Sequence, residues 1–427
     1  MVNHHAARQG SVDRSLHPGA RSLPLRTRAA IAAGRFAAAA SRRTGRGGGG
    51  MIGGRTALAL APEALRHLGT NRTVVIVTGT NGKTTTSLML SRILSTLGPV
   101  AANGDGANMP DGVLAALMAA PHAEHAVLEV DEYYVPLVAE RVRPAGIVLL
   151  NLSRDQLDRA GEVRMTERDL RAAVSTLPDT FVVANCDDPL VTSAARDAAQ
   201  PVWVGAGQLW HDDGTACARC GQAIRRDSDS WSCVCGLARP EPEWTLNDRT
   251  LAGPGNLQVP LDLRLPGRAN AANAAIAVAA AAQLGVSPTL AAGTLRAIDN
   301  VGGRYREVSY AGHTVRVLLA KNPAGWGETL PLLNGNRAVV IAVNSREPDG
   351  RDMSWLWDVP FEVLRGRHVV AAGERATDLA VRLSYAEVEH TIEHDPLRAV
   401  RELDTESVDL VGNYTAFRDV IGRLRDA

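Results

Sequence analysis

Short apolar runs alternate with amphipathic stretches along the chain from residue 73 onward. The run TVVIVTG, which begins at Thr73, is typical of a short buried strand, and TTTSLMLSRILSTLG is typical of a helix that ends at a glycine. Further strand-like runs lie at 126–130, 146–152 and 181–188. Strands that alternate with helices predict an α/β fold with a parallel sheet covered on both faces.

A second set of elements follows a break at the motif VGGR, which ends at Arg304. Before it, the patterns at 267–285 and 287–298 predict two helices. After it, new strand candidates are found at 314–320, 338–344 and 368–373. The pattern therefore predicts a second, smaller α/β domain at the carboxyl end.

Composition and charge exclude some classes of protein. The chain has 427 residues, of which 45% are hydrophobic, and no apolar run reaches the roughly 18 residues of a membrane span. Its 46 basic residues balance 46 acidic ones. This balance gives no support for a nucleic-acid or membrane surface across the chain as a whole.

The first 50 residues differ from the rest in composition, because they contain many arginines and a single acidic residue, Asp13. They contain no continuous apolar core of the kind that a secretory signal needs. We expect a disordered basic extension over 1–50, with no catalytic role. Alternatives are an arm that touches anionic lipid or nucleic acid, and a chain whose translation begins at Met51.

The segment GTNGKT is a compact variant of a phosphate-binding loop. In the general motif two glycines stand five residues apart before Lys-Ser/Thr, but here Val77 occupies the first position and the glycine is Gly79. Gly79 and Gly82 let backbone N–H groups approach phosphate oxygens, and the following helix points its positive end at them. Lys83 and the Thr84 hydroxyl suit the β/γ-phosphates and Mg²⁺. The pattern predicts ATP binding rather than a glycine turn that merely starts a helix.

Four of the five cysteines form two tight pairs, Cys217-x-x-Cys220 and Cys233-x-Cys235. Four thiolates on two turns form a tetrahedral sulfur cage that suits Zn²⁺ and leaves no open coordination position. We therefore predict a structural zinc ribbon with a small β-hairpin between the pairs. Two reducible disulfides are the alternative.

The loop GTNGKTTT resembles that of the Mur ligases, ATP-dependent amide-forming enzymes of peptidoglycan synthesis. The motifs LEVDE, NLSRDQLDRAGE, NCDDP, RANAANAAIAVAAA and GGRYREV follow in the family's order. The resemblance implies a Mur-ligase-type ATPase domain. It assigns the nucleotide to residues of the loop and of later motifs: Gly79, Thr80, Asn81, Gly82, Lys83, Thr84, Thr85, Asn270, Asn273 and Arg304.

The same resemblance implies that Thr84 and Glu129 hold Mg²⁺ and that Asn270 and Asn273 meet the adenine side. Each residue has a simpler interpretation. Glu129 would be a solvated carboxylate, the asparagines would be surface residues, and Arg304 would form a hinge ion pair. Two features depart from the family. Gln156 stands where a metal-binding histidine is expected, and only about 25 residues separate Met51 from the loop. We therefore expect that this chain does not bind a UDP-sugar substrate in the way of an ordinary Mur ligase.

The cysteine quartet and the carboxyl-terminal segments LLAKNPAGWGETL and DGRDMSWLWDVPFE resemble one branch of the family, the MurT-type ligase subunit of lipid II isoglutaminyl synthase. That resemblance implies a heterodimer with a glutaminase-type, GatD-like subunit. It implies amidation of the D-glutamate α-carboxylate of lipid II through an acyl phosphate. It further implies that one aspartate completes the partner's cysteine–histidine pair; among Asp349, Asp352 and Asp358 we favour Asp358, then Asp352.

These inferences predict three parts: a basic extension over 1–50, an ATP-binding domain over 51–303 with a four-cysteine zinc-ribbon insertion at about 207–242, and a smaller α/β domain over 304–427 that contacts the partner. The expected location is cytoplasmic, at the inner face of the membrane where lipid II is found, with no nucleic-acid partner. Two alternatives remain open: a stand-alone Mur or folylpolyglutamate-type amino-acid ligase, and a non-enzymatic zinc-ribbon scaffold that binds ATP.

Overall fold

The computed structural model describes residues 23–44, 50–104, 106–154, 163–208, 210–228, 230–299, 305–333, 335 and 337–425. Within them the strands are β1 (Thr73–Thr78), β2 (Val100–Ala102), β3 (His125–Glu129), β4 (Gly146–Leu149), β5 (Phe181–Asn185), β6 (Gln200–Gly205), β7 (Arg225–Arg226), β8 (Trp231–Ser232), β9 (Trp244–Asn247), β10 (Thr250–Gly253), β11 (Leu257–Pro260), β12 (Tyr305–Tyr310), β13 (His313–Leu319), β14 (Ala338–Ala342), β15 (Val369–Ala372), β16 (His390–Ile392) and β17 (Ser407–Gly412).

The α-helices of the same residues are α1 (Leu25–Arg43), α2 (Gly50–Leu60), α3 (Ala64–Gly69), α4 (Lys83–Leu94), α5 (Pro110–Ala119), α6 (Val135–Val142), α7 (Val163–Ser175), α8 (Pro189–Ala195), α9 (Arg268–Gln283), α10 (Pro288–Leu295), α11 (Pro323–Thr329), α12 (Ala376–Tyr385), α13 (Pro396–Glu402) and α14 (Tyr414–Arg425). None of them combines the length and the apolar character that crossing a membrane requires.

The first sheet has nine strands in the order β11-β10-β9-β6-β5-β4-β1-β3-β2. In this order, the strands between β9 and β2 pair in parallel, as the alternation of strands and helices predicts. Strands β10 and β11 extend the edge beyond β9 with antiparallel pairings. Alternate residues of β1 enter different cores. Val75 and Val77 pack on the side of α4 and α9, whereas Val74 and Ile76 pack on the side of α5 and α6.

The second sheet has six strands in the order β12-β13-β17-β14-β15-β16. Only the β12–β13 pair is antiparallel among its described pairings. Trp326 and Phe361 fill the core on one face, and Leu397 and Phe417 fill the core on the other. The predicted second α/β unit is therefore present, and its first strand begins at Tyr305, directly after the predicted boundary.

The expectation of disorder over residues 1–50 is wrong for part of that segment. Leu25–Arg43 forms a helix, and Ala30 within it is only 1% exposed. The reason is the alanine-rich pattern of the segment, which favours helix and gives α1 a small-residue face for α2. Residues 1–22 and 45–49 lie outside the described part of the chain.

Candidate functional site

The phosphate loop joins β1 to α4 with a sharply turned backbone. Gly79 and Gly82 have φ values of 137° and 84°, which residues with a Cβ atom rarely adopt. A Cβ atom on Gly82 would lie 2.5 Å from Oδ1 of Asn273, and one on Gly79 would lie 2.9 Å from Cβ of Leu150. Both positions therefore require glycine, and α4, which begins at Lys83, points its positive end at the loop.

Lys83 is 4% exposed and lies beneath this loop. Its Nζ atom is 2.6 Å from the Gly79 carbonyl, 3.3 Å from the Thr80 carbonyl and 3.0 Å from Oε2 of Glu132. A buried ammonium group must be compensated by such oxygens. The side chain is thus held at the loop, next to the position that the sequence predicts for a phosphate.

Glu129 ends the strand next to β1 and so lies at the same sheet edge as the loop. The parallel register pairs Glu129 with Val77, two residues before Gly79. Asn103 fixes the Glu129 backbone, since its Oδ1 accepts from the Glu129 N–H at 2.8 Å and its Nδ2 donates to the Glu129 carbonyl at 2.7 Å. The sequence order alone does not show this contact with Asn103.

The Glu129 side chain suits a hard cation. The residue is 2% exposed, and Oε2 has no hydrogen-bond partner among the described residues. A buried carboxylate oxygen without a donor is costly unless a charge compensates it, and carboxylate and hydroxyl oxygens are the ligands that Mg²⁺ prefers. Glu129 and the Thr84 hydroxyl, in the first turn of α4, therefore fit the predicted magnesium site.

The segment that follows β4 holds the loop from the other side. The Thr80 N–H donates to the Asn151 carbonyl at 3.0 Å, and the Asn81 N–H donates to Asn151 Oδ1 at 2.8 Å. Ser153 exchanges two hydrogen bonds with the Thr80 hydroxyl, at 2.9 and 3.1 Å. Asn151 and Ser153 had no assigned role in the sequence, although the position of Asn151 near the end of a predicted strand, and of Ser153 directly after it, was a usable signal.

An open cleft of about 620 Å³ runs from the loop along the ends of β4 and β5 to α9 and α11. Asn81 and Asn273 line it, as does Arg268. Asn270 does not, because its amide donates to the Pro266 carbonyl at 2.6 Å within its own helix start. The structure thus brings one of the two predicted asparagines to the cleft.

Three predicted residues need separate comment. Thr85 is 3% exposed in the first turn of α4. Arg304 and Gln156 lie outside the described residues, so their predicted roles stay predictions.

Asp188 lies in the wall of the cleft and begins α8. It is fully buried, and its carboxylate accepts hydrogen bonds from the backbone N–H groups of Leu152, Leu190 and Val191 at 3.0, 2.8 and 3.2 Å. Burial raises the pKa of this carboxyl to about 6, although the three N–H donors oppose the shift. Asp188 therefore ties the segment after β4 to the end of β5.

The four paired cysteines converge. Their sulfur atoms all lie within 4.8 Å of one another, with Cys217 3.7 Å from Cys235 and Cys220 3.3 Å from Cys233. A tetrahedron of sulfurs about 2.3 Å from Zn²⁺ has edges of roughly 3.8 Å, which these separations approach. The predicted hairpin between the pairs is present as β7 and β8, so the donor set fits a structural zinc ion.

The ribbon supports the cleft through Trp231, which is 2% exposed. Its Nε1 donates to the carbonyl of Cys186, just after β5, at 3.0 Å. In addition, Arg226 of the hairpin donates to Oε1 of Gln208, a cleft residue, at 3.3 Å. Folding of the ribbon therefore helps to place this wall of the cleft.

The three carboxyl-terminal aspartates occupy different environments. Asp349 is 9% exposed and accepts from the Thr415 N–H at 2.8 Å and from the Thr415 hydroxyl. Asp352 is exposed, and its pKa is lowered because its carboxylate accepts from the Ser354 N–H at 2.8 Å. The Asp358 side chain is 36% exposed and pairs with Arg154 at 3.5 Å. Asp352 and Asp358 thus remain reachable from outside, whereas Asp349 supports the fold.

The two sheets meet at the phosphate loop. Asn81 and Asn322 exchange side-chain amide hydrogen bonds of 3.1 and 3.3 Å, and Asn322 is fully buried. Asn322 also begins α11 by accepting from the Gly325 N–H at 2.8 Å. One buried amide pair therefore joins the nucleotide loop to the carboxyl-terminal unit, a contact that no sequence pattern indicated.

A parallel sheet with a glycine-turned phosphate loop, a carboxylate on the adjacent strand and a second α/β unit over the cleft is the arrangement of an ATP-dependent amide-forming ligase. The model of the Mur ligase middle domain matches residues 77–281, so the chain contains this domain of the Mur ligase family. A second model, the MurT ligase C-terminal domain, matches residues 319–417 and indicates the branch.

Relatives agree over nearly the whole chain. The chain is 29% identical to the MurT subunit of the glutamine-hydrolysing lipid II isoglutaminyl synthase of Staphylococcus aureus (strain N315), over 94% of this chain and 98% of that one. It is 27% identical to the subunit of the same name from Streptococcus pneumoniae (strain ATCC BAA-255 / R6), over 93% and 98%. Both comparisons place the chain in the MurT branch of the family.

A solved structure supports the fold. The pseudomurein peptide ligase type C from Methanothermus fervidus superposes with a TM-score of 0.67 at 20% identity, covering 87% of this chain and 84% of that one. The Mur-ligase-type arrangement of a central unit and a carboxyl-terminal unit is therefore shared with it.

Proposed function

We propose that this chain is the ligase subunit of a two-subunit lipid II isoglutaminyl synthase. It would convert the D-glutamate α-carboxylate of the stem peptide to D-isoglutamine, at the expense of ATP, during peptidoglycan synthesis. The observation that carries the proposal is the amide pair between Asn81 and Asn322. It joins a phosphate loop to a carboxyl-terminal unit of the MurT type, so the nucleotide chemistry and the specialised domain form one site.

The chemistry begins at an unreactive carboxylate. A carboxylate oxygen attacks the γ-phosphorus of ATP, and the bond to the β,γ-bridging oxygen breaks. The products are an acyl phosphate and ADP. Ammonia then attacks the acyl carbon, the carbon–oxygen bond to phosphate breaks, and the nitrogen gives up a proton as phosphate departs. Each step moves negative charge onto phosphate oxygens, which the cation of Lys83 and the N–H groups of the loop stabilise.

Thr84 and Glu129 would hold Mg²⁺, which supplies charge neutralisation for the phosphates when it is bound. Asn273 lies against Gly82, so α9 orients the nucleotide relative to the loop. Alignment of the carboxylate with the γ-phosphate is the principal task of such a site, because phosphoryl transfer depends mainly on positioning and electrostatics.

Ammonia must come from elsewhere, because no cysteine of this chain suits glutamine hydrolysis. Four cysteines form the sulfur cluster. The fifth, Cys186, is fully buried, and burial raises the pKa of its thiol to about 12, the opposite of what a nucleophile needs. We therefore infer a glutaminase-type, GatD-like partner in a heterodimer, with Asp358 or, second, Asp352 orienting the partner's histidine.

The proposed substrate determines the place of action. Lipid II is anchored in the membrane by its lipid, so the enzyme would work in the cytoplasm at the inner face of the membrane. We also propose the three-part organisation: an amino-terminal extension, a central ATP-binding domain from about residue 51 with a zinc ribbon, and a carboxyl-terminal domain that contacts the partner.

The test is reconstitution of the full chain with lipid II, ATP, Mg²⁺ and glutamine, with and without the glutaminase subunit. With glutamine as the nitrogen source we expect amidation only when the partner is present. With ammonium chloride we expect amidation without the partner. Amidation from glutamine by this chain alone would disprove the two-subunit proposal. Failure with both the partner and ammonium present would disprove the ligase proposal, and partner-free ATP turnover with an amino acid would favour a stand-alone ligase.

A further inference from the structure

Helix α1 is a long helix that packs through one narrow face. Its buried residues are small or polar: Thr27, Ala30, Gly34 and Ser41. A Cβ atom on Gly34 would lie 2.5 Å from the Gly53 carbonyl oxygen, so α1 and α2 are in backbone contact. The opposite face of α1 points away from the protein.

That outward face carries apolar side chains at helical spacing, two of them large. Leu25, Ala29, Ala32 and Phe36 are separated by four, three and four residues, so they follow one stripe along the helix. All four are exposed, with Leu25 at 82% and Phe36 at 77%. Exposure of a leucine and a phenylalanine on one stripe is unfavourable in water unless another surface covers them.

Arginines flank the stripe, and no acid opposes them. Arg28, Arg35 and Arg42 recur at every seventh residue along one edge of the stripe, and the sequence has no acidic residue between Asp13 and Glu63. Arg35 donates to the Met118 carbonyl at 2.8 Å. Arg28 and Arg42 are exposed, and their guanidinium groups make no hydrogen bond or ion pair with any described residue.

We propose that α1 docks in the plane of an anionic lipid surface, with its apolar stripe at the headgroup boundary and its arginines on lipid phosphates. A basic helix with a separate apolar stripe has the pattern of interfacial helices. A nucleic acid would satisfy the arginines and leave Leu25 exposed, so lipid fits the whole face better. The proposal deepens the proposed function, on which it rests for its relevance, because the proposed substrate is held in such a surface.

The experiment is co-sedimentation of the full chain with vesicles of phosphatidylglycerol and phosphatidylcholine that contain no lipid II. We expect binding that increases with phosphatidylglycerol content and weakens at high salt, because salt screens the charges. The double variant Arg28→Glu/Arg42→Glu is expected to lower the partition coefficient by about 30-fold or more, and Phe36→Ser by about tenfold.

Two matched controls separate this surface from bulk properties. Arg92→Glu/Arg168→Glu changes the net charge equally on exposed residues of α4 and α7, and Tyr385→Ser removes an aromatic side chain that is 72% exposed on α12. Both are expected to bind vesicles like the unmodified chain. Equal losses in controls and α1 variants would overturn the proposal, as would equal binding to pure phosphatidylcholine.

Further measurements separate the remaining outcomes. Fluorescence anisotropy with a DNA duplex addresses the nucleic-acid alternative, and arginine-dependent DNA binding without vesicle binding would overturn the lipid proposal. Amidation of a water-soluble stem peptide by the α1 variants, with ammonium, is expected to be unchanged. If no amidation occurs on any substrate while vesicle binding still depends on Arg28 and Arg42, the proposed function fails and the lipid surface stands.

Discussion

At the scale of single residues, Lys83 is the side chain on which the proposed chemistry depends most. It is almost fully buried and its cation already has oxygen partners in Gly79, Thr80 and Glu132. These oxygens hold the cation next to the phosphate loop, which is the position that the proposed phosphoryl transfer requires.

Substitution of this residue gives the first prediction. Lys83→Ala is expected to lower the amidation rate by about 10³-fold or more, because the transferring phosphate loses its buried cation. Amidation from ammonium is the measurement, and co-purification with the glutaminase subunit is the control, since Lys83 is buried and does not form part of an outer surface. Amidation within tenfold of the unmodified chain would contradict the role.

Asp188 gives a prediction about pH. The folded-state pKa of about 6 lies above the ordinary value of 3.8, so the folded state binds the proton more tightly than the unfolded state. This contribution to stability is present below about pH 4 and is lost as pH rises through 6, by on the order of 3 kcal/mol. Asp188→Asn removes the titration. Denaturant unfolding between pH 4 and 7 is expected to show the unmodified chain losing stability relative to the variant, and parallel profiles would contradict this.

At the scale of elements, the turn between β1 and α4 depends on two residues without side chains, Gly79 and Gly82. Gly82→Ala is expected to weaken ATP binding at least tenfold and to cost about 1–3 kcal/mol of stability, because φ is 84° and the new Cβ would meet Asn273. Gly293→Ala is the matched control. No atom within 4 Å would meet its Cβ, and in the middle of α10 alanine is expected to be neutral or slightly stabilising. Isothermal titration with ATP distinguishes the two.

The four-cysteine ribbon is the second element with a direct test. We expect about one zinc per unmodified chain, as measured by mass spectrometry of the metal, and loss of most of it in Cys217→Ser, because three thiolates do not close the tetrahedron. It should also weaken ATP binding, since Trp231 and Arg226 connect the ribbon to the cleft wall. Cys186→Ser is the control and should keep its zinc. Unchanged zinc in Cys217→Ser would refute the structural site.

The central elements of both units were predictable because each carries a strong local pattern. The strands at Thr73, Phe181 and Ala338 are continuous apolar runs bounded by turn residues, and α9 is a long alanine-rich helix. Strands β9 to β11 were missed, since WTLN and TLAG are short and half polar. Their sheet pairing supplies the stability that their own pattern does not indicate.

At the scale of the whole molecule, the proposed partner contact can be tested by two aspartates. Asp358→Asn is expected to lower glutamine hydrolysis by the complex by about 10³-fold or more, because an amide cannot stabilise a charged histidine. Amidation from ammonium should persist, which places the defect in the partner's site. Asp352→Asn is the comparison. Loss of hydrolysis in Asp352→Asn alone would transfer the role to Asp352, and no loss in either would contradict the shared site.

Long-range contacts explain why the site was only partly predictable. The loop, Lys83 and the cysteine pairs are contiguous in sequence, so their chemistry is visible there. By contrast, Asn81 and Asn322 are 241 residues apart, and only the packing of the two sheets brings their amides together. Asn273 reaches the cleft and Asn270 does not. This difference likewise depends on the rotation of α9 about its axis relative to Gly82, which no residue pattern specifies.

The glycine contacts of α1 and α2 have a mechanical consequence. A Cβ atom on Gly54 would lie only 1.8 Å from the Asp111 carbonyl oxygen, so α2 presses against α5 as closely as it does against α1. Helix α5 is followed in the chain by β3, which ends at Glu129. Helices in such close backbone contact move together. A docked α1 would therefore hold the phosphate loop at a constant height above the bilayer. The distance by which a substrate headgroup extends from the bilayer would then have to match that height.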